Sequence, residues 1–258
     1  MSCALQRVPD DDDERPAEIL PRLRAVPAPA TAQDLRLLAE RAGDELATAS
    51  ATEILNWAVE QFGADWCVAS SMADAVLAHL ASRVLPGVDV IFLDTGYHFA
   101  ETIGMRDAVG AVLPVSIRTA LPLRSVAEQD AEFGPRLHER DPGACCAMRK
   151  VEPLNRALAP YRAWASGLRR ADSAGRAGTK VVEWDAKHEM VKLNPIAAWT
   201  DADVDAYIAE HGLLVNPLLA DGFGSIGCAP CTRRLLPGED VRAGRWAGTA
   251  KTECGLHT

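Results

Sequence analysis

Four cysteines stand in two pairs: Cys145 and Cys146, adjacent in ACCAMRK, and Cys228 and Cys231, two residues apart in GCAPC. Such a set is the donor inventory of a metal site, and spacing alone permits structural zinc. Successive side chains on a helix diverge by about 100° around the axis, so tandem cysteines do not readily close on one tetrahedral ion. A [4Fe-4S] cluster offers four separate iron corners, and neighbouring thiolates can each take one. The cluster is therefore the expected cofactor, one per subunit, with zinc as the alternative. A fifth cysteine, Cys254, lies in the closing stretch KTECGLHT, where no core is at hand to bury a thiol. Lys251 and His257 stand near it and favour the thiolate, the attacking species, while Glu253 opposes it. A thiol on a mobile end can swing between a buried substrate and an external reductant, which is the behaviour of a nucleophile. Cys67, in the apolar run WCVAS, reads as a small core residue, and Cys3 falls in the leader.

Around the cysteines the chain turns basic. Arg149 and Lys150 follow the tandem pair, Arg169, Arg170 and Arg176 come next, and Arg233, Arg234, Arg242 and Arg245 crowd the last segment. Four separate basic segments imply a phosphate or sulfate site more than a solvated face. The chain as a whole is acidic, with 27 Lys and Arg against 36 Asp and Glu, net charge −9 and pI near 5.2. That balance speaks against a nucleic-acid or membrane-surface binder.

Buried-strand patterns alternate with helical ones across the middle of the chain. DWCVAS, GVDVIFLDTG and LPVSIRT read as strands; SMADAVLAHLASRV and YHFAETIGMRDAVGAV read as helices, the first with Ser71 and Asp74 as a capping box. Two helices at about 33–48 and 52–62, each behind a capping Thr, precede them. Another helix runs from Cys145 through about Leu158. Strands follow at YRAWASGLR, KVVEWDA and MVKLNPI, and a helix from Asp201 stands behind Thr200. This is an α/β chain with a Rossmann-like parallel sheet and helices on both faces. Ligands of such sheets sit at the carboxyl ends of the strands, which here carry Ser70, Ser71, Asp94, Thr95 and Gly96.

The expected organisation is a poorly ordered Asp- and Pro-rich leader over 1–32, one nucleotide-binding domain over 33–215, and a Gly- and Pro-rich tail over 216–258 that needs pinning, with Cys228 and Cys231 as the means. No signal-peptide pattern or membrane-length apolar run appears, so a cytoplasmic protein is expected. Oligomeric state is left open, a homo-oligomer included.

The separated motifs CC followed by RK, GCAPC, ECGLH, IFLDTGYHFAET, GLRR, KLNPIAAWTDADVDAYI, NPL and GRW cover about residues 50–257. Together they resemble the cluster-containing adenylyl-sulfate reductases of sulfate assimilation, within the PP-loop superfamily. The resemblance implies that adenosine 5′-phosphosulfate binds in the main domain, that Cys254 attacks its sulfur and expels AMP, and that thioredoxin or a similar dithiol releases sulfite from the S-sulfocysteine. It implies that Cys145, Cys146, Cys228 and Cys231 hold the cluster, with Lys150 between cluster and substrate. Arg242, Arg245 and Lys251 would meet the phosphosulfate; Leu93, Thr95, Gly167 and Arg176 the adenosine; His257 would stand beside the nucleophile. The superfamily's phosphate loop, SxSGxxxD, departs here to ASSMADAV, with Met72 in place of glycine. Ser70, Ser71 and Asp74 remain candidates for phosphosulfate or ribose. Other readings are a reductase of the 3′-phosphorylated nucleotide, a zinc-stapled nucleotide-binding module without redox activity, and a tRNA-thiolating or ATP-splitting relative on the same fold.

Overall fold

The computed structural model describes residues 31–248, 251, 255 and 256. The leader up to residue 30, Cys254 and His257 lie outside the described residues.

Thr31 opens the described chain by accepting a hydrogen bond from the Asp34 N–H, capping α1 (Ala32–Glu45). Helix α2 (Ala51–Phe62) is capped by Ser50 and not by a threonine; Ser50 and Glu53 exchange hydrogen bonds in a capping box. Strands β1 (Trp66–Ala69), β2 (Val88–Leu93), β3 (Val115–Ala120), β4 (Ala163–Ser166), β5 (Val182–Asp185) and β6 (Met190–Leu193) form one sheet in the order β3-β2-β1-β4-β6-β5. All neighbours pair in parallel except β5, which is antiparallel to β6 at the edge. That reversal corrects the all-parallel expectation. Only residues 186–189 join β5 to β6, far too few for a crossover.

Alternation along the strands sorts two cores. Trp66, Val68, Ala163, Ala165, Val191 and Leu193 face a large cluster under α1, α2 and the helices α3 (Val76–Val84), α4 (Ala100–Val112) and α9 (Asp201–His211). Cys67, Trp164 and Met190 face the opposite side, with Leu154 and Leu158 of α8 (Glu152–Leu158). Cys67 is fully buried, as a packing residue should be.

Three local departures bear on the site. Ser71 and Asp74 form no capping box: α3 begins at Val76, Ser71 is exposed, and the Asp74 carboxylate accepts from the Val76 N–H at 2.9 Å. The chain instead turns at Met72, whose φ is 59°. The helix from Cys145 to Leu158 is broken into α7 (Pro142–Cys146), a π-helical turn over Ala147–Val151, and α8. Two short helices that the sequence reading missed, α5 (Val126–Phe133) and α6 (Leu137–Arg140), precede them, α5 behind a Ser125/Glu128 capping box.

Beyond Asn216 there is little regular structure, but the segment has anchors apart from its cysteines. Leu218, Phe223 and Ile226 form a small core against Phe99. Asn216, fully buried, donates to the Met72 carbonyl and to Thr102 Oγ1 while accepting from the Leu218 N–H. Among the described residues no helix is long and apolar enough to cross a membrane.

Candidate active site

Strand β1 has β2 on one side and β4 on the other, so the connections leave in opposite directions and open a crevice at their carboxyl ends. Ala69 is level with Ser166, which brings Ser70 and Gly167 to the mouth of that crevice. Ser70 Oγ accepts from the Met72 N–H at 3.1 Å, and the Met72 carbonyl is held by Asn216. Met72 thus adopts the left-handed backbone that a glycine would take freely, and its side chain is fully buried beneath the loop. The turn survives the substitution. Gly167 is exposed, with room for a Cβ 4.0 Å from Ile196.

Beside the crevice, Asp172 pairs with Arg176 at 3.0 Å and Arg169 at 2.9 Å, and Arg169 also reaches Asp201 at 2.8 Å. Burial pushes the Asp74 carboxyl upward, while the Val76 N–H and then Arg169 oppose that shift. The expected adenosine residue Arg176 and the loop residue Asp74 therefore share one charge network. The Leu93 carbonyl accepts from His98 Nε2 at 2.7 Å, which fixes the loop after β2. Thr95 is fully buried and its hydroxyl lies 3.2 Å from Cys228 Sγ.

All four paired cysteines, none in a disulfide, line one cavity with Tyr97, His138, Arg149, Lys150 and Trp246. Burial, and then Cys146, Cys228 and Cys231, push the Cys145 thiol up to about 12; burial and Cys228 push Cys231 to about 11, against the pull of Lys150. The thiols therefore feel one another. Among the described residues, no three or more His, Cys, Asp or Glu side chains are grouped so as to hold a metal ion. The π-helical turn carries Arg149 and Lys150 inward, both buried. Arg149 is not part of an open anion surface: it donates to the Thr95 carbonyl and at 3.0 Å to Gln129, under the Tyr97 ring. It braces the loop after β2 against the cysteine helix.

Other basic residues separate in the same way. Arg233 pairs with Glu239 at 2.7 Å, and Arg234, on the surface, lies 4.0 Å from Asp221 and over the Phe223 ring. Arg245 donates to Ser225 Oγ and the Ile226 carbonyl and stacks 4.5 Å from the Trp246 ring. A Cβ at Gly227 would collide with its guanidinium. Lys251 Nζ lies 5.8 Å from the centre of the same ring, so Trp246 joins the cysteine cavity to both cations. Arg242 is half-buried one turn earlier, its N–H on Asp240.

The last described residues return to the sheet. Lys187, in the turn that precedes β6 and so at the amino ends of the parallel strands, donates to the Gly255 carbonyl at 2.7 Å, and Leu256 packs against the α8-side core. Sequence reasoning missed Asn216, Trp246, Tyr97 and Lys187. A buried Asn in NPL and an aromatic between arginines and lysine were the available signals.

Residues 66–234 match the phosphoadenosine phosphosulfate reductase domain. This chain belongs to that family. The adenosine 5′-phosphosulfate reductase of Streptomyces coelicolor is 64% identical over 235 residues, covering 91% of this chain and 100% of that protein. The protein of the same name from Mycolicibacterium smegmatis is 57% identical over 227 residues, 88% of this chain and 96% of the relative. Among solved structures, phosphoadenylyl-sulfate reductase from Candida auris, in a phosphate complex, superposes with a TM-score of 0.65 at 29% identity, covering 76% of this chain and 96% of that one. Candida glabrata FMN adenylyltransferase with FAD and pyrophosphate shares the fold alone, with a TM-score of 0.51 at 13% identity. The chain is thus a PP-loop α/β protein and an oxidoreductase of the reductase family.

Proposed function

We propose that this protein reduces adenosine 5′-phosphosulfate to sulfite and AMP in sulfate assimilation, with Cys254 as nucleophile. The Cys254 thiolate attacks sulfur, the bond from sulfur to the bridging phosphate oxygen breaks, and AMP leaves with that electron pair. A thiolate of thioredoxin, or of a similar dithiol protein, then attacks Cys254 Sγ; sulfite departs, and the partner's second thiol resolves the mixed disulfide. The observation that carries this reading is the course of the tail. Lys251 stands by the wall of the cysteine cavity, and directly after Cys254 the Gly255 carbonyl meets Lys187 while Leu256 packs against the α8-side core, so the tail runs from the cavity along the nucleotide domain.

In this reading residues 33–215 form the nucleotide domain and 216–258 the tail. Ser70, Ser71 and Asp74 serve phosphosulfate or ribose through the turn kept at Met72. Leu93, Thr95, Gly167 and Arg176 serve the adenosine, and Arg242, Arg245 and Lys251 receive the charge that grows on the leaving phosphate. His257 assists beside Cys254. The donor chemistry at Cys145, Cys146, Cys228 and Cys231 suits a [4Fe-4S] cluster: thiols outside any disulfide, from two segments, line one cavity, and cationic iron would offset their mutual repulsion as thiolates. When bound it would staple the tail to α7 and act electrostatically next to Lys150; both electrons come from the dithiol. Cysteines kept out of disulfides in this way suit the reducing cytoplasm.

Mass spectrometry after incubation with adenosine 5′-phosphosulfate alone tests the reading. One SO₃ is expected on the tail peptide, erased by reduced thioredoxin; an unmodified peptide would overturn it. The unphosphorylated nucleotide is favoured over the 3′-phosphorylated one because the 64% relative bears the former's name and the 29% relative the latter's. The ratio of kcat/KM for the two nucleotides checks this.

A further inference from the structure

The segments that leave the carboxyl ends of β1, β4 and β6 meet at one arginine. Arg169 follows Gly167 and Leu168 just past β4, and the Arg170 N–H beside it donates to the Ala197 carbonyl, on the segment past β6. Asp172 is the hub. One of its carboxylate oxygens accepts from Arg169 Nε at 3.0 Å and pairs with Nη2 at 2.9 Å; the other accepts from the Arg169 N–H at 3.1 Å and from Arg176 Nη1 at 3.0 Å. Nη2 also reaches Asp201, the first residue of α9, at 2.8 Å. Asp74, past β1, belongs to the same network: after burial and the Val76 N–H, Arg169 lowers its carboxyl and Asp172 raises it. Arg169 Nη1 remains. It is buried and meets no acceptor among the described residues, and an orphan donor of this kind asks for a partner from outside the chain.

We propose that Arg169 is a further nucleotide-binding residue, whose Nη1 donates to the ribose 3′-hydroxyl, and that the carboxylates around it exclude a 3′-phosphate. This deepens the reading of the protein as a reductase of adenosine 5′-phosphosulfate and rests on it. Among the described residues the network sets Asp74, Asp172 and Asp201 against two guanidiniums, those of Arg169 and Arg176, while Arg170 turns its Nε to the Thr179 carbonyl. A further anion is opposed there. A hydroxyl fits instead, because it accepts from Nη1 and brings no charge. The cations Arg245 and Lys251 belong to another part of the site, on the Trp246 ring beside the cysteine cavity. The 3′ position is also what separates the two nucleotides that the relatives are named for, and repulsion at one position is enough to separate them.

Calorimetric titration of the holoprotein with AMP, 3′-deoxy-AMP and adenosine 3′,5′-bisphosphate tests both halves. In the parent, loss of the 3′-hydroxyl should weaken binding about tenfold, and a 3′-phosphate should weaken it about thirtyfold or more. Arg169→Met should bind AMP about tenfold more weakly, and in that variant loss of the hydroxyl should cost less than about twofold. Arg169→Lys, which keeps the charge and loses the fork, should show the same indifference to the hydroxyl. A parent indifferent to the 3′-hydroxyl, or a hydroxyl worth as much in both variants as in the parent, would overturn the donor role. Asp172→Asn should narrow the preference for AMP over the bisphosphate about tenfold, and Asp201→Asn, which leaves the hub intact, about threefold. An unchanged preference in every one of these that folds would overturn the exclusion. None of these titrations needs turnover. If the parent never gains SO₃, the reductase reading fails by itself, and the affinities still report the contact at the ribose.

Discussion

The body and the tail of this molecule are held by different forces. From α1 to α9, strands and helices bury Trp66, Ile54, Leu55, Val68 and Leu193 completely, and stability is spread over many apolar contacts. After Asn216 the described chain hangs on a few points: one buried amide, a core of three residues, the cysteine cavity, Trp246 between two cations, and Lys187 with Leu256. A spread core resists single changes. A segment on few anchors can be released by one, which suits the alternation between substrate and protein reductant proposed for the tail.

If the cysteine pairs hold the proposed cluster, removing its iron should expose that contrast most strongly. Chelation under reducing conditions, or Cys228→Ala, is expected to raise hydrogen exchange across 217–248 by orders of magnitude while β1 and β4 keep their protection. Equal loss in both regions would erase the distinction. Next comes Asn216→Leu, which strands the Leu218 N–H and the Met72 carbonyl in a buried place. We expect a loss of about 2–4 kcal/mol in denaturant unfolding, with weakened nucleotide binding because the Ser70 loop loses its brace. Met72→Gly has two opposed terms: relief of left-handed backbone, about 1 kcal/mol, and loss of a buried methionine, about 2–4 kcal/mol. The net expectation is a loss of about 1–3 kcal/mol, read from the denaturation midpoint. The smallest effect concerns Glu239, which the hydrogen bond from Arg233 and then the Leu236 N–H hold down at about 2. Its folded value lies below its ordinary value of 4.5, so its contribution is present above pH 4.5 and disappears as pH falls towards 2. A carboxyl titration by NMR should place Glu239 among the lowest glutamates, and Arg233→Ala should raise it towards the ordinary range, with the Leu236 N–H still holding it below.

Much of the body was legible because its signals are local and periodic. Thr31 and Thr200 cap as expected, and the strand runs lie where their apolar stretches stand. The capping boxes at Ser50 and Ser125 were equally readable in SATE and SVAE, and the short link after β5 announced an antiparallel hairpin. What stayed hidden depends on contacts between distant segments. A π-helical turn differs from an α-helix by one residue per bond and leaves no apolar period of its own. Arg149 looked like its neighbours, and only Thr95 and Gln129 reveal it as a brace. Met72 stands where the superfamily's loop has glycine, and only its burial and the bond from Asn216 show how the left-handed turn is held there. The cysteine pairs were visible by spacing, but their shared cavity joins segments over eighty positions apart.

The sulfur of Cys254 is the proposed acceptor of the sulfo group. Holoprotein given adenosine 5′-phosphosulfate without reductant should show the tail peptide heavier by SO₃ on that residue. Cys254→Ser should form no adduct and lose turnover by at least about a thousandfold while still binding AMP. Turnover that persists in Cys254→Ser, or an adduct on another cysteine, would contradict it.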